Sequence, residues 1–488
     1  MKLHLSPLFT PWTDPVSGVT SYLLAPAAAA PFQQSFYYVN PSVSADGRYY
    51  WFYCAFPPAG NHNHGRSLAV ADFAAGQIRH FPETQFLDAS PAVDPLSGEV
   101  YWCCGTEVWR RGPGADDAPV FINRLPDAIT RHRRPWRVAT HLTMSADRQC
   151  LNLDALVGID CYIGVIPLDG TPVRVWQQFD RCYNHGQFSP VDPDLQLIAQ
   201  DSATNPATGA TRGIDNRLWL IRAGAPAYPL LPASGSGMQG HEWWGGSGER
   251  VWYIHYHQGV KFITISDARP GMTDDPPATL VWPSANISHA HTDTRERYLV
   301  ADFLPPLEPT SQVIFRDRAT GGECIIVNFM PYLAPGLNAY HLHPHPQFCL
   351  NDEYICYTTL VRGRADVAFV PVADLLERLG LPATKEESPP PRQPSPSSPT
   401  SPPPLPTDAN SPSVKGCPRS GRGSSAFGAA ALGTLNYPVG SRRHPFTEGE
   451  FAHAGALVVS GAFTRPRTKP FPPFSRASDS PSVKGWRR

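Results

Sequence analysis

A short turn followed by an aromatic or aliphatic word recurs along this chain and constrains its fold more than any other feature. It reads SADGRYYWFYCAF from Ser44, DPLSGEVYWCCG from Asp94, SADRQCLNLDAL from Ser145 and SPVDPDLQLIAQD from Ser189. GGSGERVWYIHY from Gly245, TDTRERYLVADF from Thr292 and CLNDEYICYTT from Cys349 complete the series. The spacing is roughly fifty residues, the length of a propeller blade. Further strand-like words lie between the turns: SLAVADF, CYIGVIPL, RLWLIRAG, KFITISDA and VIFRDRA. Each unit is therefore expected to hold four strands. Long helical periodicity is nearly absent, and VADLLERLG from Val372 is the one short helix predicted, closing the last unit. Seven units predict an all-β, seven-bladed β-propeller over residues 1–385, because radial closure protects strand edges. A pair of β-sandwiches would not require a constant period.

The 55 prolines crowd towards the end of the 488 residues. From about Glu386 the text becomes Pro- and Ser-rich and repeats SPSVKG at Ser411–Gly416 and Ser480–Gly485. Such a segment buries too little apolar surface to fold, so residues 386–488 are expected to form a disordered tail. A formal net charge of −1 argues against a nucleic-acid surface covering the molecule. The first residues lack an apolar run of signal-peptide length, and no window reaches the ~18 apolar residues of a membrane span. The ten cysteines fall mostly inside apolar words, and the pattern lacks CxxC. Reduced, buried thiols in a cytoplasmic protein are the expectation, with Cys103 and Cys104 on opposite strand faces.

In AYHLHPHPQF, from Ala339, three histidines alternate: His341, His343 and His345. On a strand they would share one face, with Leu342 and Pro344 on the other. With the repeats in register, one phase ahead of each turn holds Asn40, Ser90, His141, His185, His241, His289 and His345 in the seven units. In a propeller this phase starts the innermost strand at one mouth of the central channel. Five of the 17 histidines thus converge on a ring. Clustered titratable groups in a concavity mark a site, and neutral imidazole is a common transition-metal ligand. Spacing alone yields a metal-capable polar pocket and names no substrate.

The words NHGQFSPVDPDLQLIAQD, DNRLWLI, GHEWWGGSGERVWYIHY, SHAHTDTRERYLVADF and HPHPQFCLNDEYICYTT resemble the oligogalacturonate lyase family, seven-bladed propellers of pectin breakdown. The resemblance implies a manganese ion held by a histidine ahead of one blade turn, matched by His289. It also implies a Gln-x-x-His-x-His word, whose histidines are matched by His343 and His345. Tyr340 stands where that family has glutamine, so His341 or water is the candidate for the missing ligand. More imidazole and less oxygen shifts preference from manganese towards zinc or nickel. The family's general base is matched by His241 and its charge-neutralising arginine by Arg217.

The reaction so implied is β-elimination, in which a base removes the C5 proton of a uronate and the 4-O-linked sugar leaves. The metal and Arg217 would neutralise the carboxylate beside that carbon, and an imidazole suits the base near neutral pH. His185 and His141 are expected to contact substrate, and Trp243 and Trp244 offer faces on which a sugar could stack. Tyr183, beside His185, keeps a lyase of another uronate polymer open, because ulvan lyase propellers pair histidine with tyrosine. A non-catalytic, TolB-like binding propeller is the third reading. The expected partner is a short acidic oligosaccharide, with no nucleic acid or membrane, for a monomer or homodimer.

Overall fold

The repeated turn has one hydrogen-bonding scheme. Its first residue donates to the carbonyl five or six positions on, as in Ser44 to Tyr49, Ser145 to Cys150, Ser189 to Leu195 and Gly245 to Arg250. A left-handed residue closes it: Gly47, Arg148, Gly248 and, in the turn from Asp293, Glu296. In two of the turns the serine hydroxyl also accepts the N–H five residues on, Ser44 from Tyr49 and Ser145 from Cys150. Each turn reverses the chain from an innermost strand into the second strand of the same sheet.

The computed structural model describes residues 3–24, 28, 30–57, 64–87, 89–205, 207–235, 238–304, 310–331 and 340–382; the expected tail, 386–488, lies outside the described residues. Seven sheets surround a common axis as a seven-bladed β-propeller. Blade 1 runs Phe32–Gln34, Tyr49–Ala55, His64–Asp72 and Gln77–Leu87 from the axis outward. Blade 2 comprises Ala92–Val93, Val100–Cys104, Glu107–Arg111 and Val120–Arg124. Blade 3 comprises Cys150–Val157, Asp160–Pro167 and Arg174–Phe179, its innermost element reduced to bridges such as Met144 to Leu151. Blade 4 holds Cys182–Phe188, Leu195–Asp201, Leu218–Arg222 and Tyr228–Pro229, with a small hairpin inserted at 203–212. Blade 5 is Gln239–Trp244, Arg250–His255, Gly259–Thr264 and Ala278–Pro283; blade 6 is Ile287–Thr292, Tyr298–Phe303, Thr310–Asp317 and Glu323–Pro331. Blade 7 joins Gln347–Cys349, Tyr354–Thr359 and Asp366–Pro371 to the early strands Thr20–Leu24 and Phe9–Thr13. The helix Val372–Arg378 forms as expected and buries Val372, Leu375 and Leu376.

The apolar cores lie between blades. One joins Leu197 and Leu220 of blade 4 to Val251 and Tyr253 of blade 5. The next joins Trp252 and Ile254 of blade 5 to Leu299 and Ala301 of blade 6. Alternate residues of one second strand thus face two different neighbours, and both faces are dry. That is why these strands read as unbroken apolar words rather than as alternation. Each fully buried large side chain is worth roughly 1.5–3 kcal/mol by area.

Candidate active site and metal centre

Bulges in the innermost strands aim the histidines. In blade 4 the register slips between Asn184 and Gln187, in blade 5 between Gly240 and Trp243, and in blade 6 between Ile287 and Ala290. Two residues then oppose one, which bends the strand and turns the extra side chain. His185, His241, His341 and His345 adopt left-handed φ values of 53°, 48°, 49° and 43°. A non-glycine residue in that region costs of order 1–3 kcal/mol, and such strain collects at functional sites. Gly240 is dictated by close approach, since a Cβ there would lie 2.2 Å from the Tyr256 hydroxyl.

The segment from His341 to Pro346 corrects one expectation. It is irregular, and the strand begins only at Gln347. Pro344 and Pro346 cannot donate to a sheet ladder, and His341 and His345 are left-handed. The imidazoles nevertheless converge, while Leu342 packs into the core between blades 6 and 7.

One ligand atom from each of His289, His341, His343 and His345 lies within 4.8 Å of the others. Four nitrogens held tetrahedrally about 2.1 Å from one cation would be roughly 3.4 Å apart, so the cluster could close on a divalent transition metal with small ring rotations. Asp302 occupies the position opposite the blade 6 bulge. Its carboxylate accepts from His289 Nδ1 at 2.9 Å and from the backbone N–H groups of His289 and His345, which joins blades 6 and 7. This is the carboxylate–histidine support that orients Nε2 towards a metal. Among the described residues the ligand set is all nitrogen.

His241 stands beside the cluster, its ring 4.2 Å from that of His289. Its Nδ1–H donates to the Ser288 carbonyl, so Nε2 carries the lone pair. His185 and His141 lie further round the ring, 5.3 Å apart by centroids. Tyr37 of blade 1 fills the space among them. It stacks on His141 at 4.6 Å and 9°, and lies 4.9 Å from His345 and 6.4 Å from His185.

A second buried carboxylate faces His185. Glu242 Oε1 is 3.3 Å from His185 Nδ1, and its side chain has no exposure. Burial opposes its ionisation, but contact with His185 and the charges of His185 and Arg217 outweigh this and hold its carboxyl down to about 2. Arg217 is buried, donates to the Gln200 carbonyl at 3.0 Å and lies 3.7 Å from Asp201. Its pKa is raised: burial opposes, and the charges of Glu242 and Asp201 prevail.

Of the sequence-predicted residues, Arg217 is near enough to Glu242 for its charge to act there, and His141, His185, His241, His289, His341, His343 and His345 share this ring. Tyr183 does not. It packs with Cys161, Ile163, Ile198 and Ile221, and its hydroxyl accepts from Gln200 at 3.3 Å. Burial pushes that hydroxyl up to about 12. Trp243 stacks on Trp252 at 5.9 Å and donates to Thr292, and Trp244 donates to the Gln187 carbonyl, so both are packing residues. Asn40 is an inter-blade tie to the Leu142 carbonyl. Sequence reasoning missed Tyr37, Glu242 and Asp302. The acidic residue in GHE and the aspartate in YLVADF were the available signals.

No family model matches the chain, and no curated protein is similar to it in sequence. Solved structures are similar. An oligogalacturonate lyase in complex with manganese superposes with a TM-score of 0.57 at 15% identity, covering 74% of this chain and 96% of that one. The oligogalacturonate lyase of Vibrio parahaemolyticus gives 0.57 at 14% identity over the same shares. This chain therefore shares its seven-bladed β-propeller architecture with oligogalacturonate lyases.

Proposed function

We propose that this protein is a metal-dependent lyase that cleaves short oligogalacturonides by β-elimination and releases products with an unsaturated uronate end. The observation that carries the reading is the pairing of a four-imidazole cluster with His241, whose Nδ1 is committed to a carbonyl within the same ring. The architecture shared with oligogalacturonate lyases supports it.

In this reading His241 Nε2 takes the C5 proton. Arg217 supplies positive potential as negative charge builds on the uronate carboxylate. His289, His341, His343 and His345 would hold a divalent cation, manganese or, from an all-nitrogen donor set, zinc or nickel, which when bound neutralises that carboxylate. His141 and Tyr37 form the wall on which the saccharide rests. The described cysteines are free, which fits a reducing, cytoplasmic setting. Among the described residues no helix is long and apolar enough to cross a membrane. The ulvan-type alternative loses its motivation with Tyr183 in the core.

The test follows ultraviolet absorbance of the conjugated product from digalacturonate and trigalacturonate, with manganese, with zinc and with a chelator. Activity is expected with metal, lost on chelation, and reduced about 10²–10⁴-fold in His241→Ala. Silence on both substrates under every metal condition would end the reading, and a binding propeller would take its place.

A further inference from the structure

We infer that His185 is the proton donor to the departing sugar oxygen and that Glu242 is its positioning residue, an assignment that rests on the elimination reading above. Elimination needs two proton transfers, and a sugar alkoxide is a poor leaving group unless it is protonated as it departs. His241 accounts for the first transfer only.

The two imidazoles differ in what holds Nδ1. His241 donates to an uncharged carbonyl, which leaves the lone pair on Nε2, as a base requires. His185 Nδ1 instead faces a carboxylate without solvent access, and its own side chain retains 14% exposure. Two carboxylates, Glu242 and Asp201, surround one guanidinium, Arg217. One guanidinium cannot offset both carboxylates, and a buried carboxylate lacking a cation is costly, which makes His185 the partner to which Glu242 would hold a proton. The other groups facing His185 are the rings of His141 and Tyr37, and Asp154, which accepts the Gly186 N–H and pairs with Arg137 at 3.0 Å. Asp154 thus has its own cation in Arg137, although burial still raises its carboxyl. With Nδ1 turned to Glu242 at 3.3 Å, Nε2 is the atom left to deliver a proton.

The step balances. The C5–H bond breaks and its proton passes to His241 Nε2, while the electron pair forms the C4–C5 double bond. The C4–O4 bond breaks, and O4 takes the proton from His185 Nε2.

A leaving group that needs no proton separates this role from binding or folding. The full-length, metal-loaded protein would be assayed on digalacturonate and on a galacturonate bearing a 4-O-nitrophenyl ether. His185→Ala is expected to lose about 10²–10³-fold in kcat on digalacturonate and less than tenfold on the nitrophenyl ether. Glu242→Gln should show the same asymmetry in weaker form and shift the acidic-group limb of the pH–rate profile, which a purely structural role would not move. His241→Ala should lose both substrates equally. Equal losses on both substrates in His185→Ala and in the gentler His185→Gln, with wild type active, would overturn the assignment and leave the lyase reading intact. A wild type that eliminates neither substrate would overturn both.

Discussion

Two arcs of the ring use the same pair, an imidazole against a buried carboxylate, to different ends. In blades 6 and 7, Asp302 holds His289, and the groups gathered around it are three more imidazoles. In blades 4 and 5, Glu242 faces His185, and the nearby partner is a guanidinium. Neutral donors around a carboxylate leave a place that a dication suits. A carboxylate that shares a guanidinium and faces one imidazole has no need of a metal and serves protons instead. The distinction lies in the neighbours of each pair and in the contact itself, a 2.9 Å hydrogen bond at Asp302 and a looser 3.3 Å approach at Glu242.

The largest effect that would break this comparison is on metal affinity. Replacing His343 and His345 together by alanine should weaken zinc binding by more than about 100-fold in calorimetry. His185→Ala should change it less than threefold, and zinc should outbind manganese in the intact site. Equal losses from the two arcs would mean that the ring is one site.

A smaller effect sharpens the proton-handling arc. The Glu242 carboxyl is held at about 2, below its ordinary value near 4.5, so the folded state favours its ionised form. A depressed carboxyl stabilises the fold above its unfolded pKa, and that contribution disappears as pH falls from about 4.5 towards 2. Urea unfolding should show of order 2–3 kcal/mol lost across that window. In Glu242→Gln the part of the slope due to this group should be missing. The smallest effect is expected at Tyr183, outside both arcs. Tyr183→Phe removes one long hydrogen bond, so stability should fall by less than about 1 kcal/mol and kinetics should stay within twofold.

The repeats were legible because most blades reuse one turn, opened by a serine, aspartate or glycine, and in blades 1, 2, 3, 5 and 6 a left-handed residue lies near its end. The histidine phase was legible because equivalent positions of innermost strands meet at the axis. What escaped did so where strand alternation fails. Tyr183 and His185 have the same parity and would share a face on a regular strand, but the bulge at His185 sends them apart. His241 and Glu242 are adjacent and would face opposite ways, yet both serve the ring because the blade 5 bulge takes up both residues. Tyr37 sits three residues ahead of Asn40 in a segment that bears no histidine, so its phase carried no signal. Asp302 was hidden in an apolar word on a second strand, and only the pairing across blade 6 reveals its purpose.

Blade 7 is assembled from both ends of the described chain, with Leu23 paired to Ala368 and the Leu3 N–H donated to the Tyr354 hydroxyl. Three of the four imidazoles of the cluster lie in the segment that leads into it. During synthesis, His289 leaves the ribosome well before its fellow ligands, and an unfinished chain has no competent cation site. In the proposed reading, metal retention would report that the circle has closed. By mass action, a dication held in the proposed site would stabilise the junction of blades 6 and 7 that its ligands span, next to the pairing of greatest sequence distance. Starvation for metal would then register first as a loosening of that junction.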